Sequence, residues 1–157
     1  FIDYFFVAHE EMKYQLIDYG IPSFKVFATG IPVSSRFLRT YDKHEIFNFF
    51  KLNPNKKLIL FFGGGEFGLG KERTINIFKY LCQNTDKYQI VAISGKNQKM
   101  KNSFENFVTE KNANDIKIFE YTDKIPELMH ISSLVITKPG GLTSSESLAS
   151  RSTYYSY

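Results

Sequence analysis

Apolar positions along the chain follow two alternating periods. Short, nearly continuous runs at Leu58–Phe62, Gln89–Ile93, Ile116–Phe119 and Leu134–Ile136 have the length of strands. Between them, apolar residues recur three or four apart: Ile75, Phe78 and Leu81 within Glu72–Gln83, then Met100, Phe104, Phe107 and Val108, a short stretch over Ile125–His130, and finally Thr143–Ser150. The wider spacing lines one face of a helix, and runs without polar alternation suit strands covered on both faces. Strand and helix taking turns predict a doubly wound, Rossmann-like α/β domain with a parallel sheet and right-handed crossovers. The first fifty residues are less regular. They predict a strand in Phe1–Ala8, a helix over His9–Tyr19 with Met12, Leu16 and Tyr19 as its stripe, and a stop at Gly20. A short strand at Lys25–Ala28, a bend at Gly30-Ile31-Pro32 and a helix over Asp42–Leu52 follow, the last with Ile46, Phe49 and Phe50 on one side. Asn53-Pro54-Asn55 breaks that helix.

Composition narrows the chemistry. At 157 residues, one full hydrophobic core is available and two are not. No apolar run approaches the roughly 18 residues of a membrane-spanning helix. The single cysteine, Cys82, excludes a disulfide framework and any multi-cysteine zinc site, and His9, His44 and His130 are too scattered for a metal motif. There is no Asp-x-Asp to hold a divalent ion, so no metal is expected. The net charge of +4 permits attraction to anionic lipid or nucleotide phosphate without requiring either. The chain starts at Phe1 and finishes in a Ser/Thr/Tyr tail over 152–157 that fits no obvious element, which reads as a piece of a longer polypeptide.

Open parallel sheets bind ligands beyond the carboxyl ends of their strands, which directs attention to the loops 63–70, 94–97, 121–124 and 137–142. The first holds five glycines in eight positions, Gly63, Gly64, Gly65, Gly68 and Gly70, between a buried strand and a helix. Such a loop either packs tightly or lets backbone N–H groups approach an anion. Gly63, Gly65 and Gly68 fit the dinucleotide motif G-x-G-x-x-G, yet the next strand ends in Ser94-Gly95-Lys96 and not in the acidic residue that would bind ribose. Gly65, Gly70 and Lys71 fit a P-loop, but Glu72 stands where a Ser or Thr would hold magnesium, and Thr137 ends the fourth strand where an Asp would be needed. NAD and ATP are both disfavoured. In the last loop, Gly140 and Gly141 precede a helix that Thr143 or a neighbour could cap. Glu146 stands three residues after Thr143; spacing alone allows a capping box or a carboxylate gripping ribose hydroxyls.

The run Ile136-Thr137-Lys138-Pro139-Gly140-Gly141-Leu142-Thr143-Ser144-Ser145-Glu146-Ser147-Leu148-Ala149 resembles the donor-binding signature of bacterial processive diacylglycerol glucosyltransferases and plant monogalactosyldiacylglycerol synthases. These are relatives of the transferase that adds N-acetylglucosamine to the peptidoglycan lipid precursor. Asp3–Ala8, Gly20-Ile21-Pro22 and Thr29–Val33 are similar to the approach to that family's C-terminal domain. Phe61–Gly70 is similar to its glycine loop, Ser94–Asn97 to its GKN turn and Tyr121–Met129 to its base-binding segment.

The resemblance implies the C-terminal half of a two-domain GT-B glycosyltransferase. Residues 1–52 would be the entry from the interdomain region, 53–151 an incomplete UDP-sugar-binding domain and 152–157 an atypical tail. Glu146 would hold the ribose, and Gly140, Gly141, Leu142 and Thr143 the diphosphate, with Gly64 and Gly65 near its other side. Tyr121, Thr122 and Ile125 would frame the uracil, and Lys96, Asn97 or Lys138 could reach the nucleotide. The substrates implied are UDP-glucose or UDP-galactose and diacylglycerol, with no cofactor, no metal and no nucleic acid. The catalytic base and the surface for an anionic membrane would lie in an N-terminal acceptor domain outside these residues, and the enzyme would sit peripherally on the inner face of the cell membrane. A non-catalytic UDP-sugar-binding subunit of a split transferase is the alternative, and an NAD- or ATP-binding module a weaker one.

Overall fold

The fold was analysed in a computed structural model that describes residues 2–64, 70–152 and 154–156. It forms two compact units, Phe1–Ser34 and Ser35–Tyr157. In the first unit, β1 (Phe5–Val7) pairs in parallel with β2 (Val26–Ala28), and α1 (Glu10–Asp18) connects them. His9 starts α1, its ring nitrogen accepting from the Glu11 N–H. Of the stripe expected on α1, Leu16 is half-buried whereas Met12 and Tyr19 are exposed, because two three-residue strands offer too little surface to cover a whole helical face. On an exposed side of the pair, Phe6 stacks on Phe27 instead, and Tyr4 meets Phe27 edge-on.

The second unit carries α2 (Lys43–Phe49), β3 (Lys57–Phe62), α3 (Lys71–Leu81), β4 (Tyr88–Ile93), α4 (Gln98–Lys111), β5 (Ile116–Phe119), α5 (Ile125–Ile131), β6 (Leu134–Thr137), α6 (Gly141–Ala149) and β7 (Tyr154–Ser156). All five strands run parallel in the order β5-β4-β3-β6-β7. Counted within this sheet, that order is 3-2-1-4-5, the doubly wound arrangement, and it reverses between β3 and β6.

Alternate residues of β3 face opposite layers, so the strand must be apolar throughout. Ile59 and Phe61 join Phe78, Leu81, Ile90, Ala92, Met100, Phe104 and Ile136 under α3 and α4. There Phe78 and Phe104 stack with ring centroids 4.1 Å apart. Leu58 and Leu60 are equally buried on the other face, where α2 and α5 pack together. Ile46 and Phe50 are buried as the pattern predicts, while Phe49 is 64% exposed and rests edge-on against Phe50. At the amino ends of the strands, the fully buried Gln89 amide bonds Asn53 and Lys56 backbone groups and ties the turn before β3 to β4.

Two elements go beyond the periodicity. The 3-10 turn Ser35–Leu38 buries Phe37. At the other end, Tyr154–Ser156 forms β7 where the sequence suggested a tail without structure. Arg151, with φ +56°, reverses the chain after α6 in the left-handed conformation common at helix ends. The buried Ser152 then donates to Met129 O at 2.5 Å, and the tyrosines enter a geometry that aromatic residues favour. Among the described residues no helix is long and apolar enough to cross a membrane.

Candidate functional site

Because Phe61 is in register with Ile136, the chains that leave β3 and β6 depart side by side from the carboxyl rim, at the point where strand order reverses. The turn after β3 is glycine for want of space. A Cβ on Gly63 would lie 2.5 Å from the Phe104 ring, and one on Gly64 would lie 2.5 Å from the Ser94 carbonyl oxygen and 2.8 Å from Gly95 N. Gly63 N donates to Ile93 O at 2.9 Å, fastening the turn to the end of β4. Packing therefore already demands these two glycines, of which Gly63 is buried and Gly64 half-buried. Gly70, whose φ of +91° excludes most side chains, precedes α3, which has no side-chain cap among the described residues. Gly65 lies outside the described residues.

The turn after β6 is different. α6 starts at Gly141, with Gly140 as its extended N-cap residue and, among the described residues, no capping side chain. Thr143 is thus the third residue of the helix and not its cap, and the Thr143–Glu146 capping box that spacing allowed does not form. The first helical bond runs from Ser144 N to Gly140 O at 3.0 Å, which leaves the N–H groups of Gly141, Leu142 and Thr143 without intrahelical acceptors. Together with the positive end of the helix dipole, they are arranged to receive an anion. One turn further on, Glu146 is half-buried, and burial pushes its carboxyl above the usual glutamate range. Among the described residues its carboxylate has no hydrogen-bond or ion-pair partner, so a partly desolvated acceptor stands beside an unused set of donors. Lys138 is half-buried at the same turn.

The other loops differ in how far their groups are committed. Asn97 Oδ1 accepts from Met100 N at 3.0 Å and caps α4, so this residue has a structural duty; Lys96 is exposed on the turn before it. After β5, Tyr121 is 78% exposed, Thr122 Oγ1 accepts from Lys124 N at 3.1 Å, and the half-buried Ile125 opens α5. In sheet order β5 stands three strand spacings from β6, roughly 14 Å along the rim. That is the scale of a nucleoside diphosphate and not of a lone phosphate. Sequence reasoning missed Arg36, whose guanidinium bonds Asp123 O at 2.8 Å and Glu127 across 87 and 91 residues. A contact so distant in sequence leaves no local signal.

The single thiol of the chain lies away from this rim. Cys82 is buried at the far end of α3, where burial pushes its thiol up to about 12. Among the described residues no three His, Cys, Asp or Glu side chains gather as metal ligands. Among the described residues of the α6 turn, the chemistry on offer is that of backbone N–H groups, hydroxyls, Lys138 and the Glu146 carboxylate.

Residues 58–152 match the glycosyltransferase family 28 C-terminal domain. Among curated proteins, the processive diacylglycerol beta-glucosyltransferases of Bacillus cereus strain AH187 and Bacillus thuringiensis strain Al Hakam are each 36% identical over 151 residues. That stretch covers 94% of this chain but 37% of either relative, so the chain spans just over a third of their length. Among solved structures, the S. aureus MnaA–UDP co-structure superposes with a TM-score of 0.72 at 20% identity, over 97% of this chain and 41% of that one. The UDP-GlcNAc 2-epimerase of Neisseria meningitidis bound to UDP-GlcNAc gives 0.69 at 20% identity, over 88% and 40%. Anabaena Alr3699/HepE in complex with UDP and glucose gives 0.61 at 15%, over 97% and 43%. These structures share the Rossmann-like fold, and the match across 58–152 together with the 36% identity establishes that the chain belongs to glycosyltransferase family 28, whose C-terminal domain it carries.

Proposed function

We propose that the chain supplies the nucleotide-sugar-binding half of a hexosyltransferase that moves glucose from UDP-glucose to diacylglycerol. The observation that carries this reading is the rim between β3 and β6, where, among the described residues, α6 opens uncapped at Gly140 and the Glu146 carboxylate one turn inside it has no partner. Gly141, Leu142 and Thr143 N–H groups receive the diphosphate, with Gly64 and Gly65 near its other side, and Glu146 accepts from the ribose hydroxyls. Tyr121 stacks on the uracil, Thr122 pairs with its edge through the backbone, and Ile125 closes the pocket.

Charge accumulates on the diphosphate as the sugar–oxygen bond breaks. Fixed N–H groups and a helix dipole aimed at that charge stabilise it in the transition state at no reorganisation cost, which is how this half contributes to the rate. The acceptor site and the base that takes the proton of the diacylglycerol hydroxyl belong to polypeptide beyond these 157 residues, in keeping with the greater length of the relatives. Glucose is preferred over galactose because the relatives are named glucosyltransferases. Peripheral attachment to the inner face of the membrane follows from a lipid acceptor and is part of the same proposal.

Calorimetric titration of the 157-residue chain with UDP, NADH and ATP in parallel tests it. Saturable UDP binding that falls at least tenfold in Glu146→Ala is expected, since loss of a charge-assisted acceptor costs about 1.5–3 kcal/mol. Saturable NADH or ATP binding without UDP binding would refute the assignment.

A further inference from the structure

Arg36 sits two residues past the boundary of the first unit, on the turn anchored by the buried Phe37. Its own carbonyl accepts from the Tyr41 hydroxyl at 2.8 Å, so its backbone is held from behind. In front, one guanidinium nitrogen, Nη2, donates to Asp123 O at 2.8 Å and reaches both carboxylate oxygens of Glu127 at 3.3 and 3.4 Å. Asp123 lies between Thr122 and Lys124, the two residues closed into a tight turn by the Thr122 hydroxyl. Glu127 lies in the first turn of α5. That one nitrogen therefore ties the loop to the helix it leads into through charge-assisted hydrogen bonds. The Arg36 side chain is 42% exposed and Glu127 14%, so the pair is half-buried. Its effect is on where the loop runs.

We infer that Arg36 is the positioning residue for base selection: it fixes the backbone of 121–124 so that the loop reads uracil and rejects cytosine. This rests on the reading above that Tyr121, Thr122 and Ile125 meet the base. Uracil offers a donor at N3 and an acceptor at O4; cytosine offers an acceptor at N3 and a donor at N4. A backbone N–H and carbonyl that pair with the first clash with the second, provided the loop is held in place, because displacements below 1 Å suffice to lose such pairing. In this assignment Arg36 meets neither base nor phosphate and acts through Asp123 and Glu127.

The test is calorimetric titration of the 157-residue chain and its Arg36→Ala, Arg36→Lys and Glu127→Gln variants with UDP, CDP and inorganic pyrophosphate. In Arg36→Ala, UDP affinity is expected to fall about tenfold and the UDP-over-CDP preference to shrink toward unity, with pyrophosphate unchanged. Arg36→Lys should recover part of the preference, and Glu127→Gln should retain most of it. A uniform weakening of all three ligands, or no change in any, overturns the inference. A wild-type chain that binds UDP and CDP equally removes the base-loop reading itself, and the inference with it. If Arg36→Ala does not fold, the Arg36→Lys preference decides, an unchanged ratio counting against the clamp.

Discussion

Helices α4 and α6 both start at the carboxyl rim of one sheet, and they start differently. Asn97 closes α4 with a side-chain oxygen on Met100 N. α6 opens on Gly140 with no described side chain over its first turn. α2 follows the first pattern, capped by Asp42 onto His44 N and Glu45 N, and α3 follows the second, from Gly70. α5 lacks a side-chain cap as well, but Pro126 in its first turn removes one of the donors. A cap spends one or two of the free N–H groups on the fold: Asn97 takes Met100 N, and Asp42 takes His44 N and Glu45 N. The ends of α3 and α6, uncapped among the described residues, follow the two adjacent strands at the reversal of strand order, where a ligand at the switch point would meet them.

The contrast extends to the glycines, and there a substitution has its largest effect. Gly64→Ala forces a methyl group against the Ser94 carbonyl, a backbone atom that cannot swing away. Overpacking of this kind costs about 1–3 kcal/mol, and the melting midpoint should fall by roughly 3–12 °C. Gly140→Ala meets no described atom within 4 Å, its backbone is extended at φ −166°, and its midpoint should stay within about 2 °C. Equal losses for the two would erase the distinction between a glycine required by packing and one kept bare for a ligand.

Caps can be exchanged between the helices. Gly140→Asp gives α6 the side chain that α2 already has, and Asp exceeds Gly at an N-cap by a few tenths of a kcal/mol, so the fold should gain slightly. UDP affinity should nevertheless fall at least tenfold, because the new carboxylate occupies the donors and repels phosphate. Asn97→Ala should do the reverse, losing about 1 kcal/mol of stability in chemical denaturation with UDP affinity unchanged. The smallest effect concerns Glu146. Burial disfavours its ionised form, so the folded protein holds that proton to higher pH than the unfolded chain does. The contribution is fully present below the usual glutamate range and is lost as pH rises through the folded pKa. Glu146→Gln should match the wild type near pH 4 and melt slightly higher at pH 7; the opposite order would mean that the carboxylate has a partner in the folded state.

The sheet was legible because its strands are apolar on both faces and the helices between them repeat at 3.6 residues. α4 and α5 fall where Met100, Phe104 and Ile125–His130 put them. The start of α6 was less legible. Thr143 is the better capping residue by type, yet the helix begins two residues earlier at Gly141, and only coordinates distinguish a capping box from an open first turn. β7 escaped because Tyr-Tyr-Ser carries no period and becomes a strand only once Arg151 and Ser152 have turned the chain. Arg36 escaped because its partners are about ninety residues away. Local pattern encodes elements and glycine-rich turns, whereas the clamp on a loop is a product of tertiary folding.

The open end of α6 can be watched directly. In an amide NMR titration of the 157-residue chain with UDP, the N–H resonances of Gly141, Leu142 and Thr143 should shift saturably while those of Gln98, Lys99 and Met100 at the capped start of α4 stay still. Shifts confined to the start of α4, or saturation with the α6 amides unmoved, would contradict the claim that the uncapped helix end holds the diphosphate.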